Sequence, residues 1–147
     1  VYLENNPMVF EVRRKPGTNT FRPRSSEHPQ DEIPPGLLVA CVVGRIYFAN
    51  VQNVGQRLRD LVEAERPKVL ILDCSAIPDM EYTALMALME WEAGGRKQGI
   101  RLVLAALTPP ALEAVQRTSL GATLGRSGMF ATVEIAVDQL GWPQGVG

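Results

Sequence analysis

Between residues 73 and 83 the run "DCSAIPDMEYT" gathers three carboxylates, Asp73, Asp79 and Glu81, with three hydroxyls, Ser75, Tyr82 and Thr83. Groups of these types suit three tasks: capping a helix, ordering an anion or nucleotide beside a helix start, or accepting a phosphoryl group. A phosphate on Thr83 would bring about −1.5 to −2 charge and three acceptor oxygens. Asp79 and Glu81 would repel it, so such a switch would release a docked partner rather than tighten the helix. Structurally, Asp79 is predicted as the N-cap, Glu81 complements the positive end of the helix dipole, and Thr83 is a polar first-turn residue. The two descriptions coexist, because a capped and exposed helix start is also a docking surface. Tyr82 is an amphipathic anchor of the kind enriched at interfaces, and Met80 and Met86 suit a tolerant contact. Asp79, Met80, Glu81, Tyr82 and Met86 are therefore the candidate partner-contact residues. Asp73 and Ser75 stand at the carboxyl end of a predicted strand, where α/β folds bind ligands or nucleotides; the alternative is that Asp73 orders its own loop.

Other chemistries find little support. The single histidine, His28, lies in a proline-bracketed loop with no second histidine in the sequence, which gives little support to a metal cluster or a Ser/His arrangement. The stretch from Ile46 to Val51 has neither G-x-G-x-x-G nor G-K-[ST], which speaks against a dinucleotide or P-loop enzyme. The expectation is a non-enzymatic chain with no metal and no cofactor. Net charge is −1, too small to steer the chain toward nucleic acid. Only Cys41 and Cys74 are present, so a disulfide framework is not expected and a reducing compartment is. No apolar run approaches the ~20 residues that span a bilayer, and the first six residues do not read as a signal peptide. The chain is thus expected to be soluble, and the missing initiator methionine fits a piece of a longer protein.

The elements that must position the 73–83 run can be read from apolar patterning. Leu37 to Val43 and Val69 to Leu72 are continuous apolar strands, and Ile100 to Ala106 is a third core strand. Gly44-Arg45 reads as a turn into a second strand, Ile46-Tyr47-Phe48, making a hairpin with Leu37 to Val43. Asn50 is the predicted cap of a helix carrying Val51, Val54, Leu58, Leu61 and Val62 and ending near Pro67. A second helix is predicted from about Met80 to Gln98, stopped by Gly99. Thr108-Pro109 starts a third helix, through about Arg117, Phe130 marks a short last strand, and Val133 to Leu140 is a final helix. Phe10 to Val12 is a candidate edge strand. The proline-bearing stretch from Pro16 to Gly36 is an ordered meander or hinge. The fold class is α/β, with a mostly parallel central sheet of about four to five strands, an N-terminal antiparallel hairpin and flanking helices. The chain divides into an extended leading segment, 1–36, and a core, 37–147, within one domain. Arg13, Arg14 and Lys15 are candidate contacts with lipid headgroups, or else a solvated edge.

The runs "PGLLVACVVGRIYFANVQNV" and "VLILDCSAIPDMEYTAL" resemble the STAS domain that forms the cytoplasmic C-terminus of sulfate-permease-type (SulP) anion transporters. "RRKPGTNTFRP", "HPQDEIPPG", "IRLVLAAL" and "GMFATVEIAV" extend the resemblance over most of the chain. It implies a SpoIIAA-like fold and a regulatory or assembly role, exerted by protein contacts at the cytoplasmic face of a membrane. Implied partners are the transporter's own membrane domain, a second copy of the chain, and acyl carrier protein or a nucleotide; nucleic acid is not among them. In stand-alone relatives, the anti-sigma-factor antagonists, an Asp-Ser-Ser-Gly pattern carries the phosphorylated serine. It falls here on Glu81, Tyr82, Thr83 and Ala84, leaving Thr83 as the only matching acceptor hydroxyl and removing the small residues. The alternative role is therefore such an antagonist or signalling adaptor, switched at Thr83. The short Arg66-Pro67-Lys68 connection lacks the insertion of animal relatives and reads as bacterial.

Overall fold

The computed structural model describes residues 8–47 and 49–141. Its strands are β1 (Met8–Arg14), β2 (Phe21–Pro23), β3 (Leu37–Val43), β4 (Val69–Asp73), β5 (Arg101–Ala105) and β6 (Met129–Phe130). Its helices are α1 (Val51–Glu65), α2 (Tyr82–Lys97), α3 (Pro109–Gln116), α4 (Ser119–Leu124) and α5 (Val133–Leu140). The six strands form one sheet in the order β2-β1-β3-β4-β5-β6. From β3 to β6 neighbours run parallel, whereas β1 is antiparallel to both β2 and β3. The α/β expectation holds, with six strands.

The uninterrupted apolar strands follow from burial on both faces. Leu38, Ala40, Val42, Leu70, Leu72, Leu102 and Leu104 point into a core roofed by Val54 and Leu58 of α1, Ala84 and Leu88 of α2, Ala111 and Val115 of α3, and Leu120 and Leu124 of α4. The alternate residues, Leu37, Val39, Cys41, Ile71, Val103 and Ala105, meet Ala136 and Val137 of α5 on the other face. One helix therefore covers one side and four the other.

Three expectations change. The antiparallel partner of β3 is β1, not Ile46 to Phe48: Ile46 and Tyr47 lie in a loop, and Phe48 falls outside the described residues. The reason is Asn50, whose buried side chain accepts from the Tyr47 amide at 3.0 Å and donates to the Arg45 carbonyl at 2.8 Å. Those bonds curl the backbone and tuck Ile46, 1% exposed, into the core. Asn50 consequently makes no side-chain cap bond to α1. Finally, β1 is not an edge strand, because β2, within the proline-bearing stretch, lies outside it.

That leading segment is held down by ion pairs. Arg22 grips Asp31 through two bonds of 2.6 and 2.8 Å. Arg24 binds both Glu11 of β1 and Glu65 at the end of α1.

Candidate functional site

The register places Cys41, Asp73 and Ala105 side by side at the carboxyl ends of β3, β4 and β5. Three loops leave this edge and lean on one another. The Gly44 amide donates to the Ala76 carbonyl at 3.2 Å, the Cys74 amide donates to the Ala105 carbonyl at 2.9 Å, and the Thr108 hydroxyl donates to the Pro78 carbonyl at 3.0 Å. The β4–α2 loop is pinned from beneath by Cys74 and Ile77, fully buried, and by Met80, 6% exposed. Ser75 and Pro78 between these anchors, and Glu81 just after them, face solvent. A sequence alternating core and surface residues thus anchors the loop to the core at three points.

Asp73 accepts from the Ser75 amide at 3.0 Å, which is the loop-ordering role, and Ser75 stays exposed. Asp79 is not the cap of α2: the N-cap residue is Glu81, extended at φ −79° and ψ 170°, with no side-chain cap bond. One carboxylate oxygen of Asp79 is buried without a hydrogen-bond partner among the described residues. The Glu81 carboxylate turns instead toward Arg45, 3.6 Å away. Met80 belongs to the core, so the predicted contact surface passes over it to Tyr82 and Met86, which are 76% and 39% exposed and one helical turn apart. Thr83, in the same turn, is half-buried.

Both cysteines are free thiols and buried. Burial, seconded by the Asp73 charge, pushes the Cys41 thiol up to about 12, and the same causes push Cys74 up. Among the described residues no three His, Cys, Asp or Glu side chains are grouped to hold a metal, and no helix is long and apolar enough to cross a membrane. The junction exposes an aromatic and a thioether, Tyr82 and Met86, beside an Arg45–Glu81 pair.

Of the basic trio, Arg13 pairs with Glu11 and Glu65, and Arg14 with Glu32 and Asp138; Lys15 is exposed. Two residues that shape the site escaped the sequence reading in that role. In the sequence Arg45 reads only as a turn residue, and Thr108 as a helix cap but not as the tether of Pro78. Also unforeseen is a hollow of about 240 Å³ between α1 and α2, walled by Leu58, Val62, Leu70, Leu72, Trp91 and Leu102.

A family model described as STAS domain matches residues 28–136. Sulfate transporter 1.3 of Arabidopsis thaliana is 31% identical over 142 residues, covering 90% of this chain and 22% of the transporter. The chain thus spans about a fifth of that relative's length. Among solved structures, the murine Solute Carrier 26 family member A9 anion transporter in the inward-facing state superposes with a TM-score of 0.81 at 15% identity, over 94% of this chain and 23% of that one. The SulP transporter STAS domain from Vibrio cholerae superposes with a TM-score of 0.63 at 21% identity, over 78% of this chain and 88% of that one. At those identities the two structures share the fold.

Proposed function

The chain belongs to the STAS domain family, and on that premise we propose that it is the cytoplasmic regulatory and assembly domain of a sulfate-type anion transporter, working through protein contacts rather than catalysis. The observation that carries this reading is the β4–α2 junction. Three buried side chains anchor the loop to the core while Tyr82 and Met86 stand exposed beyond it, a form suited to docking. The first partner is the membrane part of the same protein. The leading segment meets it, because that segment is fixed to β1 and α1 through Glu11 and Glu65 and passes any displacement into the sheet. Arg13 and Arg14 act in that relay through their carboxylate partners, and exposed Lys15 is the residue of the trio left for a headgroup.

A second reading, a stand-alone anti-sigma-factor antagonist, is favoured by one feature: the Thr83 hydroxyl lies in the first turn of a helix with no side-chain cap. A phosphate there would meet free helix amides but also Asp79 and Glu81.

The deciding experiment is amide hydrogen exchange on the 147-residue chain alone and within its full-length parent in nanodiscs. Protection gained across residues 13–36 on joining the membrane part is the expected result. No gain anywhere in the chain would remove the transporter reading.

A further inference from the structure

The hollow between α1 and α2 sits over Leu70 of β4 and Leu102 of β5 and runs toward Gln98 and Ile100, away from the β4–α2 loop. Besides its apolar walls it is bordered by three helical glycines, Gly55 of α1 and Gly94 and Gly95 of α2. A glycine inside a helix costs helix stability, and Gly94, with nothing within 4 Å of its Cβ position, is not there to let another group pack closely. At Gly55 two donors converge: a Cβ there would lie 3.1 Å from Trp91 Nε1 and 3.2 Å from Arg59 Nη1. The Trp91 indole N–H has no acceptor among the described residues. Arg59 donates only to Gln56 Oε1, at 3.1 Å through its other terminal nitrogen, and pairs with no carboxylate among the described residues. Past Arg59 the hollow continues into a cleft lined by Glu63, Arg66 and Lys68. Arg59, Arg66 and Lys68 face only Glu63 and Glu90 among the charged residues lining the two spaces, an excess of one positive charge.

We propose that this hollow binds one medium-chain fatty carboxylate, with its chain over Leu70 and Leu102 and its head between Arg59 Nη1 and Trp91 Nε1. The inference goes beyond the transporter reading and does not rest on it. Volume sets the length of the chain. A cavity of ~150 Å³ holds benzene, so 240 Å³ scales to about ten non-hydrogen atoms, an eight-carbon chain with its two oxygens. Two acyl chains would need twice that space, which excludes a diacyl lipid. The donors set the head. A purely apolar guest would leave the indole N–H and the guanidinium unpaired beside it, whereas a carboxylate oxygen accepts from both. Charge sets the valence: one negative charge balances the excess positive charge, and a phosphate monoester, at about −1.5 to −2, would exceed it. An apolar pocket with a few convergent polar groups is the usual form of a small-molecule site.

The test is a titration of the 147-residue chain with octanoate, followed by the indole N–H resonance of Trp91 in proton–nitrogen correlation spectra. Trp142 is the other tryptophan, and Trp142→Phe assigns the two signals. A saturable shift of the Trp91 signal is expected, with a dissociation constant on the order of 0.1 mM. 1-Octanol, which keeps the chain and loses the charge, should bind about tenfold more weakly, and acetate, which keeps the charge and loses the chain, should not shift the signal at the same concentrations. Arg59 is exposed, and Arg59→Glu should weaken octanoate by about tenfold or more while leaving octanol unchanged. Gly94→Leu, placed where a side chain meets no neighbour, should narrow the hollow and weaken both ligands by about tenfold or more. Circular dichroism and thermal melts confirm that each variant is folded. No shift of the Trp91 signal up to about 2 mM octanoate, twentyfold above the expected constant, would overturn the site. Equal binding of octanol and octanoate, or indifference to Arg59→Glu, would overturn the carboxylate head. A shift with acetate equal to that with octanoate, or binding unchanged in Gly94→Leu, would overturn the place of the chain.

Discussion

The Thr108 hydroxyl donates to the Pro78 carbonyl at 3.0 Å while accepting from the Ala111 amide at 3.3 Å. One side chain thus caps α3 and ties it to the loop that presents Tyr82. Thr108→Val keeps the shape and removes both bonds. Loss of the cap should lower stability by about 1 kcal/mol, read from urea unfolding. Amide exchange over residues 77–83 should quicken, because the loop loses its tether. Thr108→Ser retains both bonds and should leave both readouts near those of the parent.

Acid should loosen the leading segment. The Arg22 guanidinium, through its paired hydrogen bonds, holds the Asp31 carboxyl below the usual carboxylate range, against the opposing effect of burial. A depressed folded value means the stabilisation is complete above the unfolded pKa, near 3.9, and is lost as pH falls through the lower folded value. Protection of the amides across residues 21–32, taken relative to their intrinsic exchange rates, should therefore fall below about pH 4. In Asp31→Asn the segment should already be loose at neutral pH, and its response to acid should be smaller.

Base acts through the thiols. In the folded chain the Cys41 thiol is pushed up to about 12 by burial and then by Asp73, and Cys74 is raised as well. In the unfolded chain both ionise near 8.5. Stability is therefore unaffected by these groups below about pH 8 and falls as pH rises from there toward the folded values. At pH 8 neither cysteine should react with a thiol reagent until denaturant is added. Rapid labelling of Cys41 in the native chain would contradict the packing at β3.

What was legible in the sequence was what is periodic or capped. Leu37 to Val43, Val69 to Leu72 and Leu102 to Ala106 are apolar without interruption because helices cover both faces of their strands, and each belongs to a parallel strand. Thr108-Pro109 and Gly99 punctuate helices where expected. Burial inside irregular backbone has no period, and there the reading failed. Ile46 looks like the start of a strand but is a loop residue drawn into the core by Asn50. Met80 looks like the start of a helix surface but anchors the loop before it. Asp79 has the position of a cap, yet the extended backbone at Glu81 takes the N-cap place. The α4 helix, with Gly121 and Thr123 inside only 6 residues, has no stripe to detect. The partner-facing part of the site, Tyr82 and Met86, was visible because an aromatic and a methionine at helical spacing are informative by type. The ties from Arg45 and Thr108 were invisible because they join residues 36 and 30 positions apart.

Two glycines should respond with opposite signs to the same substitution. Gly141 follows α5, and a Cβ there would meet Pro34 Cγ at 2.5 Å, Pro34 Cβ at 2.8 Å and the Leu37 Cδ2 at 2.9 Å. The proline ring is stiff and Leu37 is a buried residue of β3, so neither can yield easily. Gly141→Ala should destabilise by about 1–3 kcal/mol, as overpacking does. The effect should be local in origin but global in readout, since Pro34 begins the run into the central strand. Gly94, inside α2, has nothing within 4 Å of its Cβ position. Gly94→Ala relieves the backbone entropy of an interior helical glycine without a clash and should stabilise by about 1 kcal/mol. Urea midpoints of the two variants, measured with the parent, check both signs at once. A destabilising Gly94→Ala would mean that the space beside α2 is needed, and an unaffected Gly141→Ala would mean that α5 can move away from Pro34.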